Sequence, residues 1–280
     1  MLGAIIGDIV GSRFEFNSTN DYNFELFGEG CSFTDDTICT IAVADAILRG
    51  RDYGESMHDW CRRYPDPKGG YGGRFRQWVM CDNPRPYGSF GNGSAMRVSP
   101  IVWWFDLNTV LYDEATRSAS CTHNHQLGID GAIAVASAIS DCKRLREDKK
   151  GQSISREDIL DFGIAHAISK YRMDTCNFDV NIEDHRNIFD ETCQGTVPVA
   201  LAIILNSTCF EDAVRQAVSL GADADTLGAI VGSIAEALWG IPEWMEKKAM
   251  DYLPEEMQDV VKEFRIGLNK RRGLSTGADI

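Results

Sequence analysis

With 280 residues, 44% apolar and 25% charged, the chain has the composition of a soluble globular protein and the length to bury a sizeable core. A formal net charge of -14, with no basic stripe beyond a short KRR near the C-terminus, excludes general nucleic-acid binding and attraction to anionic membranes. Nine cysteines without a CxxC pair exclude a disulfide framework and a thiolate zinc site, and fit reduced, buried thiols in a cytoplasmic protein.

The chain opens with MLGAIIGDIVGS, which has no basic leader region and whose apolar run is interrupted by Asp8, so neither a signal peptide nor a membrane span is expected. In 34–49, Ile38, Ile41, Ala42 and Ala46 recur at three- and four-residue steps until Arg49-Gly50, which predicts a helix. Similar spacing predicts helices around 54–63, 109–120, 127–147, 155–172, 196–206, 209–220, 226–239 and 254–268. Between them, 65–94 is rich in Pro and Gly and reads as a long functional loop. KRLREDKK at 143–150 reads as a solvated helix end, and the polar, acidic 173–195 as a surface excursion. Two-residue alternation is scarce, and neither a linker nor a solenoid-length repeat interrupts the chain. The expectation is an all-α, compact single domain over 1–270 with a flexible tail over 271–280.

FTDDTICTIAVADAIL at 33–48 sets two hydroxyls and two carboxylates at the head of an apolar helix. Thr34 or Asp35 would serve as an N-cap, accepting hydrogen bonds from the unpaired N–H groups of the first turn. GADADTLGAIVGSIAEALWGIP at 221–242 repeats the arrangement with Asp223, Asp225 and Thr226. Its helix is built from small residues, Gly228, Ala229, Gly232, Ser233, Ala235 and Ala237. Small residues allow close approach, so helices 34–49 and 226–239 are expected to cross in the core with their acidic ends side by side. Four carboxylates brought together repel one another unless a cation sits among them. Thr34, Asp35, Asp36, Asp223, Asp225 and Thr226 form a hard oxygen ligand set suited to Mg²⁺, Mn²⁺ or Ca²⁺, and bridging carboxylates favour two metals. A side chain can cap a helix and ligate at once.

The motifs GAIIGDIVGSRFEF, FTDDT, YGGRF, GNGSAMRVSP, THNH and GADADTLGAIVGSIAEA, in that order over about residues 1 to 242, make the chain resemble the ADP-ribosylglycohydrolase family, whose members include the dinitrogenase reductase-activating glycohydrolase. The resemblance implies an orthogonal helical bundle with a binuclear Mg²⁺ or Mn²⁺ centre at helix N-termini, hydrolysing the N- or O-glycosidic bond between ADP-ribose and a modified residue. Thr34, Asp35 and Asp36 match the first metal motif, and Asp223, Asp225 and Thr226 the second. Ala222 and Ala224 depart from the family's usual GGDTDT, at positions that are not ligands. Glu15 matches an acid proposed to act in catalysis, against its alternative as a surface-loop carboxylate. In GSFGNGSAMR, the family places Gly91, Asn92, Gly93 and Ser94 along the ADP-ribose pocket and Phe90 against the adenine; the glycines would let backbone N–H groups approach a diphosphate. Ser89 stands where the nitrogenase-related branch carries an acid.

His123 and His125 form an HxH pair without the local ligands a zinc site needs. The resemblance puts His123 beside the substrate, against a structural polar contact, and His125 is expected to be structural. Tyr71 and Trp78 read as packing. The reaction so implied develops positive charge at the ribose C1 carbon, with the metals holding the ribose hydroxyls and either Glu15 or a metal-bound Asp36 as general base. The substrate is expected to be an ADP-ribosylated protein or a small ADP-ribose conjugate. An inactive ADP-ribose sensor and a metal-dependent phosphoesterase remain the alternatives. Ser89-Phe90-Gly91-Asn92 is similar to the branch acting on serine-linked and other O-linked ADP-ribose, while family frequency slightly favours arginine.

Overall fold

A computed structural model describes residues 1–105, 108–171, 178–271 and 273, with the side chains of residues 108 and 109 outside the description. The expected flexible tail at 271–280 lies almost wholly outside the described residues. The fold is all-α. The helices are α1 (Leu2–Gly11), α2 (Asp35–Arg49), α3 (Tyr53–Arg63), α4 (Gly73–Met80), α5 (Gly93–Met96), α6 (Ser99–Trp104), α7 (Asn108–Ser120) and α8 (Gln126–Asp148). They continue with α9 (Arg156–Asp158), α10 (Ala165–Lys170), α11 (Cys193–Asn206), α12 (Phe210–Ser219), α13 (Ala224–Trp239), α14 (Glu243–Met250) and α15 (Glu255–Arg271). Among the described residues the only extended pairings are two isolated bridges, Thr34 with Lys68 and Gly91 with Thr192. No described helix is long and apolar enough to cross a membrane.

At the centre, α1 and α13 run antiparallel with their backbones in contact. A Cβ on Gly7 would overlap the carbonyl of Gly228, one on Gly3 that of Gly232, and one on Gly11 that of Ala224. The small-residue face of α13 therefore packs on α1, which corrects the expectation that its close partner is α2. Gly3, Gly7 and Gly11 recur every four residues, so one stripe of α1 has no side chains and the helices meet at backbone distance. Every residue of α1 is buried, which makes Asp8 an acid in the middle of the core.

Three other expectations change. The segment 155–172 is not one helix: a capping box on Ser155 starts α9, the chain passes through a π-turn at Ile159–Gly163, and α10 follows. Gly163 lies at that break, where its carbonyl accepts from the Cys142 thiol. The loop 65–94 contains α4, because Phe75, Trp78 and Val79 fall on one face at i, i+3 and i+4 and bury it. Short helices α6 and α14 also escape a periodicity argument, since fewer than three turns carry too few apolar positions.

Candidate active site

The α1–α13 seam brings the C-terminal end of α1 to the N-terminal end of α13. Asp8 then fixes α2 to the same place. Its carboxylate accepts from the Thr34 N–H at 3.0 Å, the Thr34 hydroxyl at 2.7 Å, the Thr37 N–H at 3.0 Å and the Thr37 hydroxyl. Thr34 also caps α2 by accepting from the Asp36 N–H at 3.2 Å. Across the gap, the Thr226 hydroxyl donates to Asp36 Oδ2 at 3.1 Å, so the acidic ends of α2 and α13 do lie side by side. Asp8 is thus one residue of the site that sequence reading missed, although an acid within an apolar helix was its signal.

The acids gathered here are short of positive partners. Asp36, Asp223 and Asp225 are buried and Asp35 is half-buried. Burial first, and neighbouring carboxylates next, drive Asp36 and Asp225 well above the usual carboxylate range. Asp35 moves the same way, through burial first, then Cys39 and Asp225. Burial raises Asp8 to about 6 against the opposing pull of its threonine donors. Asp223 is likewise raised to about 6, opposed by Asn92, whose amide donates to it at 2.8 Å. Half-buried Glu15 is pushed up to about 8, by desolvation first and then by Asp225. The buried oxygens Asp36 Oδ1 and Glu15 Oε2 have no hydrogen-bond partner.

A cleft of about 350 Å³ opens on this cluster, with Glu15, Asp35, Asp223 and Asp225 in its wall. The glycine-rich loop forms a further part of the lining, and it is held by Arg97. That guanidinium, 1% exposed, donates to the Gly93 carbonyl at 2.8 Å, the Ser118 carbonyl at 3.2 Å and the Thr122 hydroxyl at 2.8 Å. Among the described residues no carboxylate pairs with it. Thr122 Oγ1 lies 2.6 Å from His123 Nδ1, and burial, followed by Arg97, lowers the His123 pKa well below its ordinary value, so the imidazole in the wall is neutral. Arg74, with its guanidinium over the Tyr87 ring, also borders the cleft. One cleft thus combines an acid cluster with a glycine-rich loop, two arginines and a neutral imidazole, and Asn92 joins the loop to Asp223.

A model of the family described as ADP-ribosylglycohydrolase matches residues 1–272. The chain belongs to the ADP-ribosylglycohydrolase family. Similar proteins include the ADP-ribosylhydrolase ARH3 of Homo sapiens, 26% identical over 92% of this chain and 86% of the relative. The ADP-ribosylarginine hydrolase Tri1 of Pseudomonas putida is 25% identical over 89% of this chain and 73% of the relative. A solved chain described as an ADP-ribosylglycohydrolase-related protein complex superposes with a TM-score of 0.69 at 23% identity, covering 95% of both chains, and shares the fold.

Within this ADP-ribosylglycohydrolase, Glu15, Asp35, Gly91, Asn92, Gly93, His123, Asp223, Asp225 and Thr226 all border the cleft. Four of the expected residues do not. Asp36 is buried, its Oδ2 accepting from the Thr226 hydroxyl. Thr34 is turned to Asp8. Ser94 is buried, with its hydroxyl donating to the Gly128 carbonyl at 2.7 Å. Phe90 stands 42% exposed outside the cleft wall, its ring 5.4 Å from that of His125. His125 caps α8 by accepting from the Leu127 N–H. Trp78 packs face to face on Phe75. Tyr71 donates to the Tyr64 carbonyl at 2.7 Å and also borders the cleft. The segment 173–195 is more than a surface excursion in its described part: the Glu191 carbonyl accepts from the Asn92 N–H at 2.7 Å and Glu191 joins the cleft wall. Arg74, Arg97 and Glu191 were not singled out from the sequence, since only the fold brings them to one place.

The residues suit a hard divalent cation by their chemistry: carboxylates with two threonine hydroxyls, one buried carboxylate oxygen without a partner, and no thiolate, because the Cys39 thiol is held well above its ordinary pKa by its contact with Cys61 and by burial. Among the described residues, no three His, Cys, Asp or Glu side chains meet around a single point as an ion would require. The donors are gathered but not closed.

Proposed function

We propose that the protein hydrolyses the glycosidic bond joining ADP-ribose to a modified side chain, releasing ADP-ribose, with divalent-cation dependence and a preference for arginine linkages. The observation that carries this reading is a single cleft lined by both an acid cluster and a glycine-rich loop with arginines. An ADP-ribose conjugate needs both, one for its scissile C1 carbon and one for its diphosphate. The glycine backbone and Arg74 suit the diphosphate, and the acid cluster suits the reacting ribose. The name of the relative Tri1, an ADP-ribosylarginine hydrolase, supports the arginine preference.

In this reading Asp35, Asp36, Asp223 and Asp225, with Thr34 and Thr226, hold two Mg²⁺ or Mn²⁺ ions. When bound, these ions supply a template for vicinal ribose hydroxyls and acidify a water. Glu15, raised to about 8, is largely protonated at neutral pH and is placed to give its proton to the leaving group, then to take one from the attacking water. Such a step is worth about 10²–10⁴-fold. Asn92 fixes Asp223, and Asp8 fixes the head of α2, so the acids are oriented before substrate arrives. Neutral His123 lies against Gly93 and offers the ribose a polar contact without adding charge. Phe90 presents an exposed ring beyond Gly91 on which the adenine can lie.

The test is release of free ADP-ribose from paired arginine- and serine-ADP-ribosylated peptides, with Mg²⁺ or EDTA, read by mass spectrometry. Expected is Mg²⁺-dependent release, faster from the arginine peptide. Binding of ADP-ribose without release from either peptide would favour a sensor, and AMP as product would favour a phosphoesterase.

A further inference from the structure

The cleft lining carries an aromatic side chain that the reaction above does not use. Phe16 is 73% exposed, the most exposed large apolar side chain among the described residues, and it borders the cleft directly after Glu15 in the chain. Phenylalanine is ordinarily buried, so a ring presented to solvent at a cleft mouth calls for an occupant. Its ring stacks on that of Phe189, with centroids 5.9 Å apart and planes 29° apart. Phe189 is held in turn by a tied-down backbone. The Asn187 N–H, at a positive φ of 59°, donates to the Leu220 carbonyl, and Asp190 Oδ1 accepts from both the N–H and the hydroxyl of Thr192. The pair is thus a braced platform.

Two residues beyond Phe189, exposed Glu191 borders the same cleft, close enough to raise the carboxyls of both Glu15 and Asp223. Its carboxylate has no hydrogen bond or ion pair among the described residues, and it lies outside the ligand set assigned to the cations. A flat aromatic face and an unpaired carboxylate bordering one cleft match one side-chain group in particular. A guanidinium is planar, stacks on aromatic rings and pairs with carboxylates through paired N–H donors. A serine hydroxyl uses neither feature.

We propose that Phe16, braced by Phe189, and Glu191 form a leaving-group subsite that holds the guanidinium of an ADP-ribosylated arginine. The proposal rests on the hydrolase reading and assigns to named residues the linkage preference stated there. When the C1–N bond breaks, the guanidine leaves with both bonding electrons and takes up the proton that Glu15 gives, ending as the free guanidinium cation. Ring and carboxylate hold the guanidinium in substrate and product alike, so the subsite selects the linkage and orients the bond to be broken.

Wild type, Glu191→Gln and Phe16→Ser would be compared by kcat/KM on arginine- and serine-linked peptides with Mg²⁺, and by inhibition with methylguanidinium chloride against methylammonium as a charge-matched control. Circular dichroism melts check that each variant is folded. A charge-assisted pair to a desolvated guanidinium is worth about tenfold or more, and a stacking contact a few-fold. The arginine-to-serine ratio should therefore fall about tenfold in Glu191→Gln and about threefold in Phe16→Ser, with the methylguanidinium Ki rising to match. Where serine-linked release is too slow to measure, the Ki carries the comparison. A wild type that releases ADP-ribose while both variants keep the wild-type ratio and Ki overturns the subsite alone. A folded wild type that releases ADP-ribose from neither peptide overturns the hydrolase reading and the subsite with it.

Discussion

The two ends of one helix pair are built on opposite principles. Along the α1–α13 seam, Gly3, Gly7 and Gly11 meet Gly232, Gly228 and Ala224 at backbone distance, and the carboxylate of Glu236 beside Gly3 is paired with the Met1 ammonium at 2.6 Å. One turn beyond the seam, five acids share a small volume, and buried carboxylate oxygens lack partners. The dry half makes the charged half achievable. Carboxylates held only by flexible side chains would swing apart to water, whereas here their helix ends are fixed by contacts that admit no slack. The stability gained in the seam offsets repulsion retained at the site, as expected where function is stored as strain.

The largest effect should come from filling the seam. In Gly7→Val the new side chain meets the Gly228 carbonyl and the backbone of Ala229, neither of which can move aside. Overpacking against fixed backbone lies at the upper end of its usual cost, about 3 kcal/mol or more. We expect a protein that is insoluble or melts far below wild type by calorimetry, and an unaltered melting temperature would contradict the backbone contact. The same logic inverts at the acidic end. Asp225→Asn removes a charge that Asp36, Asp35 and Glu15 all feel. In EDTA this variant should melt above wild type, by roughly 2–4 °C for each 1 kcal/mol of relieved repulsion. It should also lose the stabilisation by Mg²⁺ and at least about 10²-fold of ADP-ribose release. A variant that is less stable in EDTA than wild type would show that the acids are not in conflict.

A pH series sharpens the contrast without mutation. Glu15 is raised from an ordinary 4.5 to about 8, and Asp8 and Asp223 from 3.8 to about 6. Between the unfolded and folded values the folded chain binds more protons than the unfolded chain, so its stability falls as pH rises. The decline should run from about pH 4 to 6 through Asp8 and Asp223, and on to about 8 through Glu15. Each group contributes at most about 1.4 kcal/mol per pH unit while it titrates. Melting temperatures in EDTA should drop across this window, and saturating Mg²⁺ should flatten the curve if cations take the place of the protons. A flat profile in EDTA would mean that the acids are solvated after all.

How much of this was legible in the sequence follows from where the information lies. The long helices were readable because three or more turns repeat one apolar face, and the acid cluster because FTDDT and GADADT concentrate acids where a helix begins. The partner of α13 was not, because a glycine stripe carries no hydrophobic signal: Gly3, Gly7 and Gly11 mark a contact by what they lack. Arg97 and Glu191 were illegible for another reason. Each is an ordinary charged residue until the fold puts one against the glycine-rich loop and the other in the cleft lining. The π-turn after α9 is set by tertiary packing of Gly163 against Cys142, and local periodicity carries nothing about it.

Asp8 joins the two halves, and its replacement by asparagine yields the smallest effect. Its Oδ2 accepts the N–H groups of Thr34 and Thr37 and the Thr37 hydroxyl, while Oδ1 meets only the Thr34 hydroxyl. In Asp8→Asn the amide oxygen can replace Oδ2, and the amide NH₂ can replace Oδ1 by donating to Thr34 Oγ1, whose own hydrogen is free to rotate away. Three acceptor bonds survive, one reverses direction, and a buried charge disappears. The cost should stay within about 1 kcal/mol. Asp8→Leu, which leaves four buried donors without an acceptor, should cost about 3 kcal/mol or more. If the two variants melt alike, Asp8 serves only to fill space. If the asparagine variant alone stays close to wild type, the acid holds the head of α2 by hydrogen bonding, and the placement of Asp35 and Asp36 depends on an α1 residue outside the cleft wall.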